Sequence, residues 1–175
     1  MKIRTIVAWS ALLVGALAIT YTWAPSRGKE MIAPELRQPA TEFTLKDASG
    51  ATVNLSDYKD KVVLLNFWAT WCGPCELEIP WFIDFEKTYK DRGFAVLGVS
   101  FDDEGWTAVK PYVERRKTNY RVLLGTEDMP EVYWDLEAIP TTLLLDKQGR
   151  VAVTHRGLVS KQTYEDGIRQ LLAGS

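Results

Sequence analysis

The chain has few of the residues that ligate metals or build disulfide frameworks. Its 175 residues include only two cysteines, Cys72 and Cys75, and a single histidine, His155. Two cysteines cannot form the several bridges that stabilise small secreted domains. With one distant histidine they cannot supply the four ligands of a closed zinc site, and a bridge between them would close too short a loop to stabilise the fold much. Reactive chemistry remains, and we predict neither a metal nor another cofactor.

Basic residues are too few for a surface that binds nucleic acid. Residues 1–29 carry four basic residues and no acidic ones, which leaves 17 of the 21 basic residues against all 23 acidic residues in the remainder. Because phosphate binding needs clusters of Lys and Arg, this acidic body excludes nucleic acid as the main partner.

Charge is absent altogether from residue 6 to residue 24, a run of 19 residues. That run has about the length that a helix needs to cross a bilayer, and it carries aromatic residues near both ends, as interfacial segments do. The sequence therefore predicts that residues 1–24 are a membrane anchor. A cleaved signal peptide, with the small residues 16–18 as its cleavage site, is the alternative. Either segment would carry the body of the chain across the membrane.

The rest of the chain divides into a polar segment and one α/β domain. Residues 25–40 contain three prolines and no apolar period, which predicts a tether. Over 41–173, strands alternate with helices and an antiparallel pair closes the domain, which indicates a mixed sheet with a parallel core. The predicted elements are a hairpin around Asp47–Gly50, strands over 61–69, 94–101, 120–125, 141–146 and 151–157, and helices over 74–92, 106–117, 130–136 and 161–173.

Cys72 and Cys75 lie where a buried strand ends and a helix begins. Pro74 suits the first helical position, and Gly73 allows a tight turn beside the sulfur. Unpaired N–H groups and the positive end of the helix dipole favour a thiolate there. Cys72, before the helix, is the more exposed and better activated cysteine, so we expect it to attack a partner disulfide. Cys75, one turn deeper, would then resolve the mixed disulfide.

Two other features receive a purely structural interpretation. Strand alternation predicts that His155 faces solvent and has no functional partner. Asp102 and Asp103, which follow the second buried strand, are predicted to form a solvated turn rather than a metal site.

The stretches FWATWCGPC and IPTTLLLDKQGRV together resemble the thioredoxin superfamily. The N-terminal apolar segment, the lead-in FTLKDASGATVNLSDYKDKVVLLNFWATWC and the tail ELEIP narrow the resemblance to the membrane-anchored TlpA/ResA/CcmG-type thiol-disulfide oxidoreductases of bacteria. The resemblance covers residues 38–173. It implies a thioredoxin fold, which is a central mixed sheet flanked by helices, with an added N-terminal β-hairpin and one preceding transmembrane helix.

The resemblance also assigns a surface for substrate docking. Pro140 matches the cis-proline beside the cysteines, and it would leave the backbone of Ile139 free to pair with a partner strand. Trp71, Gly73 and Pro74 would complete this surface around the sulfurs.

Proton handling is expected to differ from that of thioredoxin itself. Thioredoxin has a buried aspartate at the position of Asn66, and an asparagine cannot titrate. Glu78 matches an acidic residue of the ResA-like branch and lies three residues after Cys75, on the same face of the helix. We therefore predict that Glu78 accepts the proton of Cys75; the alternative is a solvated glutamate.

The function implied is reduction of disulfides in exported proteins, with apocytochrome c among the candidates. The enzyme would sit as a monomer in the bacterial inner membrane, held by one N-terminal helix with its catalytic domain on the periplasmic side. A transmembrane protein of the DsbD/CcdA kind would supply its electrons. Two alternatives remain open at this point, a thiol peroxidase of the peroxiredoxin kind and a non-catalytic docking module with the same fold.

Overall fold

The computed structural model describes residues 31–174, apart from 127, 128, 130, 135 and 137. The predicted anchor over 1–24 lies outside the described residues. Over the part of the chain that is described, no helix combines the length and apolar character needed to cross a bilayer.

Within the described residues, the domain contains seven strands and four α-helices. The strands are β1 (Thr44–Asp47), β2 (Thr52–Asn54), β3 (Val62–Trp68), β4 (Phe94–Ser100), β5 (Arg121–Leu124), β6 (Thr141–Leu145) and β7 (Val151–Arg156). The helices are α1 (Gly73–Tyr89), α2 (Trp106–Arg116), α3 (Glu131–Trp134) and α4 (Lys161–Leu172), and short 3₁₀ turns occur at Pro34–Leu36, Leu55–Tyr58 and Lys90–Arg92.

All seven strands form one mixed sheet in the order β2-β1-β5-β4-β3-β6-β7. Strands β3, β4 and β5 are parallel, while the hairpin β1–β2 and the pair β6–β7 extend the sheet antiparallel on either side. Every residue of β3 and β4 is buried, as expected for central parallel strands covered on both faces. The predicted α/β fold with a mixed sheet and an added N-terminal hairpin is confirmed.

Strand β3 divides the core because alternate side chains face opposite sides of the sheet. Val63, Leu65 and Phe67 pack into a cluster with the N-terminal hairpin and α3. Val62 and Leu64 pack against α1 and α4 on the other side. Burial of each such side chain stabilises the fold by about 1.5–3 kcal/mol, so β3 is held firmly where it leads into the cysteines.

Of the tether predicted over 25–40, residues 25–30 lie outside the described residues, and residues 31–40 are bonded to the domain. Within residues 31–40 the N–H of Ile32 donates to the carbonyl of Ala152 (2.8 Å), and Arg37 forms a buried ion pair with Asp146 (3.3 Å). The segment is therefore attached to the β6–β7 end of the sheet. Backbone hydrogen bonds and the Arg37–Asp146 ion pair hold this segment. Such contacts need no apolar period, so the sequence does not reveal the attachment.

The prediction for His155 was wrong. Its side chain is only 5% exposed, because helix α4 covers this face of the edge strand β7. The imidazole stands edge-to-face with the ring of Tyr164, with 5.1 Å between ring centroids and 84° between planes. Alternation along a strand shows which residues share a face, but it does not show whether a helix covers that face.

Candidate active site

Cys72 and Cys75 form a disulfide at the junction of β3 and α1, with 5.3 Å between their Cα atoms. Cys72 is 4% exposed and Cys75 is 1% exposed. Cys72 is therefore the more exposed cysteine, as predicted, but only slightly, because both sulfurs are buried while the bridge is closed.

Cys72 is also the N-cap residue of α1. The backbone N–H of Cys75 donates a hydrogen bond to the Sγ of Cys72 (3.3 Å), and extended backbone at Cys72 gives way to helix at Gly73. When the bridge opens, this N–H and the positive end of the helix favour a thiolate on Cys72. The local geometry thus activates the first cysteine of the pair.

Gly73 is not needed for the tight turn that the sequence predicted. Its φ does not lie in the left-handed region, and a Cβ built on it would meet no atom within 4 Å. The space at the Gly73 Cα is therefore open, and a side chain there would extend into it.

Two of the predicted docking groups lie at the end of the sheet that carries the disulfide, where β3 ends and β6 begins. Trp71, just before Cys72, is 70% exposed, and the peptide bond between Ile139 and Pro140 is cis, as the resemblance implies. Ile139 packs against the cluster of buried residues that contains both cysteines. The structure therefore places the predicted docking residues at the same end of the sheet as the two cysteines.

Of the two residues predicted to form a solvated turn, Asp103 is exposed in a turn, but the prediction was wrong for Asp102. Its carboxylate is buried and accepts hydrogen bonds from the N–H of Thr70 (3.0 Å) and the hydroxyl of Ser100 (2.6 Å). Ser100 is paired with Trp68 in the parallel β3–β4 register, so the ends of the two strands meet. Asp102 ties the segment that leads to Cys72 to the neighbouring strand.

Glu78 lies on α1 one turn after Cys75 and has no exposed surface. The hydroxyl of Tyr164 donates a hydrogen bond to its Oε1 (2.7 Å). Burial raises the pKa of Glu78 to about 7, against smaller lowering effects from the Tyr164 hydroxyl and the backbone of Val159. The alternative of a solvated glutamate is excluded by this burial, whereas Glu76, two residues earlier, is partly exposed and paired with Arg116.

A buried polar chain links Glu78 to Asn66. The Nδ2 of Asn66 donates to the Oγ1 of Thr142 (2.9 Å), and the hydroxyl of Tyr164 lies 3.4 Å from the same oxygen. Sequence reasoning identified the two ends of this chain but missed Tyr164 and Thr142. Tyr164 lies on the buried face of α4 with Ile168 and Leu171, which gives no sign of a polar role, although a buried tyrosine hydroxyl needs a hydrogen-bonding partner.

Comparisons with known proteins agree with this geometry. The sequence model of the AhpC/TSA family matches residues 36–154 of this chain. The chain is 33% identical over 162 residues to the thiol-disulfide oxidoreductase ResA of Geobacillus kaustophilus, covering 93% of this chain and 92% of that protein. It is 32% identical over 175 residues to the ResA of Bacillus subtilis, covering 99% and 96%.

A solved structure of a thiol:disulfide interchange protein has a similar fold. A thiol:disulfide interchange protein of the thioredoxin family from Chlorobium tepidum superposes with a TM-score of 0.70 at 30% identity, covering 78% of this chain and 97% of that one. The site thus combines an activated first cysteine, a second cysteine bonded to it and a buried carboxyl whose pKa is about 7. Together these groups can move two electrons and a proton.

Proposed function

Because the chain belongs to the AhpC/TSA family and is a thiol-disulfide oxidoreductase of the TlpA/ResA/CcmG type, we propose that it reduces disulfides of exported proteins outside the cytoplasm. The observation that carries the proposal is the Cys72–Cys75 bridge at the start of helix α1. The spacer Gly73–Pro74 supports the reducing direction, because it resembles that of reducing thioredoxins.

The reaction begins with the dithiol form. The thiolate of Cys72 attacks one sulfur of the substrate disulfide, and that S–S bond breaks. The second substrate sulfur leaves as a thiolate, which takes a proton from water. The substrate is now bound to Cys72 through a mixed disulfide, with its backbone along Ile139 and its side chains near Trp71.

The second step releases the reduced substrate. Cys75 gives its proton to the carboxylate of Glu78, and its thiolate attacks the Sγ of Cys72. The mixed disulfide breaks, and the substrate leaves with both of its sulfurs reduced. Two electrons have then moved from the enzyme to the substrate, and the enzyme is left with the Cys72–Cys75 disulfide. The burial of Glu78 supports this role, since a pKa of about 7 suits a base that works near neutral pH.

Turnover outside the cytoplasm requires a source of electrons, because the surroundings there are oxidising. A transmembrane donor of the DsbD/CcdA kind would supply a dithiol that attacks the Cys72–Cys75 bridge by the same exchange in reverse. The uncharged run over residues 6–24 supports an anchor that keeps the enzyme in the same membrane as this donor, on the periplasmic side of the bacterial inner membrane.

The substrate class follows from the reaction, which accepts pairs of oxidised cysteines in exported proteins. The haem-binding C-x-x-C-H of apocytochrome c is the member of this class that we propose as one substrate, with a role in cytochrome c maturation. The thiol peroxidase alternative receives less support, because the two cysteines are bonded to each other at a C-x-x-C site. Turnover of hydrogen peroxide at rates similar to disulfide reduction would favour that alternative.

Replacement of the resolving cysteine tests the proposed function. We expect the full-length Cys75→Ala chain, expressed in a bacterium, to accumulate mixed disulfides between Cys72 and exported proteins, because the second step is blocked. After acid quenching and alkylation, the adducts should be recovered with the membrane fraction and identified by mass spectrometry. A c-type cytochrome precursor among them would support maturation, whereas many unrelated exported partners would indicate general repair.

The matched control is the double variant Cys72→Ala/Cys75→Ala, which should form no adducts. Adducts made up of cytoplasmic proteins, or recovery of the chain only in a soluble cytoplasmic fraction, would contradict the proposed location. Absence of any adduct to Cys72 would contradict the proposed reaction.

A further inference from the structure

We propose that Tyr164 is a positioning residue for this reaction, which holds the carboxylate of Glu78 through its hydroxyl and thereby sets the pH range in which Cys75 can resolve the mixed disulfide. The inference rests on the proposed function for the part that concerns Cys75. The control of Glu78 by Tyr164 stands on the geometry alone.

The first argument is that the Tyr164 hydroxyl is the main donor to Glu78, while the backbone of Val159 contributes less. The Oε1 of Glu78 accepts the hydrogen bond from Tyr164 at 2.7 Å, while its Oε2 is buried and has no hydrogen bond of normal geometry among the residues that the structure describes. A buried carboxylate needs hydrogen bonds to remain charged. Loss of the Tyr164 hydroxyl would therefore affect Glu78 far more than loss of one donor would affect a solvated carboxylate.

The second argument is that the hydroxyl of Tyr164 is held in place. The residue has no exposed surface. Its ring stands edge-to-face with Phe82 on α1 (5.3 Å between centroids, 81° between planes) and with His155 on β7 (5.1 Å, 84°). Because Tyr164 comes from α4 and Glu78 from α1, the hydrogen bond also joins two helices across the core.

The third argument is that the polar chain can serve both charge states of Glu78. When the carboxyl is ionised, the Tyr164 hydroxyl donates to it. When the carboxyl is protonated, it can donate to the Tyr164 oxygen, whose own hydrogen can turn toward the Oγ1 of Thr142, 3.4 Å away. Thr142 in turn is fixed by the amide of Asn66 (2.9 Å). A proton can therefore arrive at Glu78 or leave it without leaving a donor unpaired.

The ionisable groups around Glu78 come from four parts of the fold. Cys75 lies one turn earlier on α1, Tyr164 lies on α4, His155 lies on β7 against the Tyr164 ring, and Tyr120 precedes β5. Burial raises the pKa of Tyr120 and that of Tyr164 well above their usual range, so both tyrosines stay neutral. Cys75 in the dithiol form and His155 are also ionisable, so an experiment must separate them from Glu78.

The direct test is Tyr164→Phe, which removes the hydroxyl and keeps the ring. In the disulfide form Cys75 does not titrate, so the ¹³C signal of the Glu78 carboxyl reports its own protonation. We expect the midpoint of this titration to rise by about 1–2 pH units, the equivalent of one hydrogen bond to a charged group. Thr142→Val keeps the Tyr164 hydroxyl but removes the oxygen to which it turns when Glu78 is protonated. The protonated form of Glu78 is then less stable, so the midpoint should move downward.

Two controls separate this effect from general damage to the fold. Tyr89→Phe also removes a hydroxyl that donates to a carboxylate, that of Glu165 (2.7 Å), and it should leave the Glu78 midpoint unchanged. His155→Gln removes the only histidine of the sequence, so a midpoint that persists in this variant belongs to Glu78.

The link to the reaction is tested on Cys75 thiol alkylation in a Cys72→Ala background. The pH profile should shift upward with Tyr164→Phe and should not shift further when Glu78→Gln is already present. An unchanged Glu78 midpoint in Tyr164→Phe would overturn the inference. The Glu78 midpoint could shift in Tyr164→Phe while the pH profile of Cys75 alkylation stays the same in both Tyr164→Phe and Glu78→Gln. That result would support the control of Glu78 by Tyr164 but overturn the proton-accepting role proposed for Glu78.

Discussion

Glu78 places an ionisable carboxyl where no solvent reaches it, and this position has a consequence for stability as well as for catalysis. Burial raises its pKa to about 7, from an ordinary value of 4.5. Between these two values the folded protein binds a proton that the unfolded chain has released. The folded state is therefore favoured below pH 4.5, and this advantage is lost as the pH rises through 7.

A Glu78→Gln variant should remove this pH dependence. For the disulfide form we expect the variant to be more stable than the wild type at pH 8, by up to about 3 kcal/mol, because the wild type must bury a charge there. At pH 4 the two proteins should be almost equally stable, because the Glu78 carboxyl of the wild type is then mostly protonated in both the folded and the unfolded protein. Urea denaturation at a series of pH values measures the difference.

The control for this prediction is Glu165→Gln, which replaces a carboxylate that also accepts a tyrosine hydroxyl but is partly exposed, at 22%, and has its pKa lowered by the hydrogen bonds from Tyr89 and Arg169. It should bring no gain at pH 8. A Glu78→Gln variant that is less stable than the wild type at pH 8 would contradict burial as the main cause of the raised pKa.

The role of some single residues can be predicted from the sequence, and that of others cannot. Glu78 could be identified because its spacing from Cys75 puts both on one face of a helix, and because the resemblance supplied a role. Asp102, Tyr164 and His155 could not be assigned correctly, since their environments are created by segments distant in the chain. A pattern along one element contains no information about what packs on it.

At the scale of elements, the central strands and the segment over residues 31–40 behaved differently. The predicted strands over 61–69 and 94–101 are confirmed, because runs rich in Val, Leu and Phe leave few alternatives. Residues 31–40 have no such run. Their attachment depends on hydrogen bonds to β7 and on Arg37, none of which leaves a period in the sequence.

This attachment can be tested through Arg37, whose guanidinium donates to the carbonyl of Ile32 (2.9 Å) and to the buried carboxylate of Asp146 (3.3 Å). We expect Arg37→Met to lower the free energy of unfolding by about 2 kcal/mol. The loss is smaller than the 3–5 kcal/mol typical of a broken buried pair, because Arg150 still contacts Asp146 (2.9 Å). Chemical denaturation measures the change.

Arg121→Met is the matched control, because its partner Asp47 (3.1 Å) forms an ion pair on the surface, and such pairs contribute about 0–1 kcal/mol. Equal losses for the two variants would mean that the Arg37 pair is no more important than a surface pair.

At the scale of the whole molecule, sheet topology assembles the site. Parallel pairing of β3 with β4 brings Asp102 beside the segment before Cys72, and antiparallel pairing of β3 with β6 brings Pro140 to the same end of the sheet. Residues 31–40 are attached at the β6–β7 turn, near the opposite end of these strands. The surface around the sulfurs thus lies away from the point where the chain enters the domain.

The direction of electron flow is a property of the whole molecule in its surroundings, and the reduction potential measures it. We expect the Cys72–Cys75 couple to lie closer to the value of thioredoxin, about −270 mV, than to that of the strong oxidants of the superfamily, about −120 mV. Equilibration with glutathione or dithiothreitol buffers of known potential gives the value. A potential near −120 mV would contradict the proposed role as a reductant.

The sequence by itself determined the reactive pair, its place between a buried strand and a helix, and the α/β class. These depend on local order, since a cysteine spacing, a proline at a helix start and an unbroken apolar run act over a few residues. Only the tertiary structure decided which polar side chains support the pair. Tyr164 meets Glu78 across 86 positions of sequence, and Asp102 meets Thr70 across 32. Such contacts follow from how strands and helices stack, and burial of the carboxyl of Glu78 in that stack gives it a pKa near neutrality.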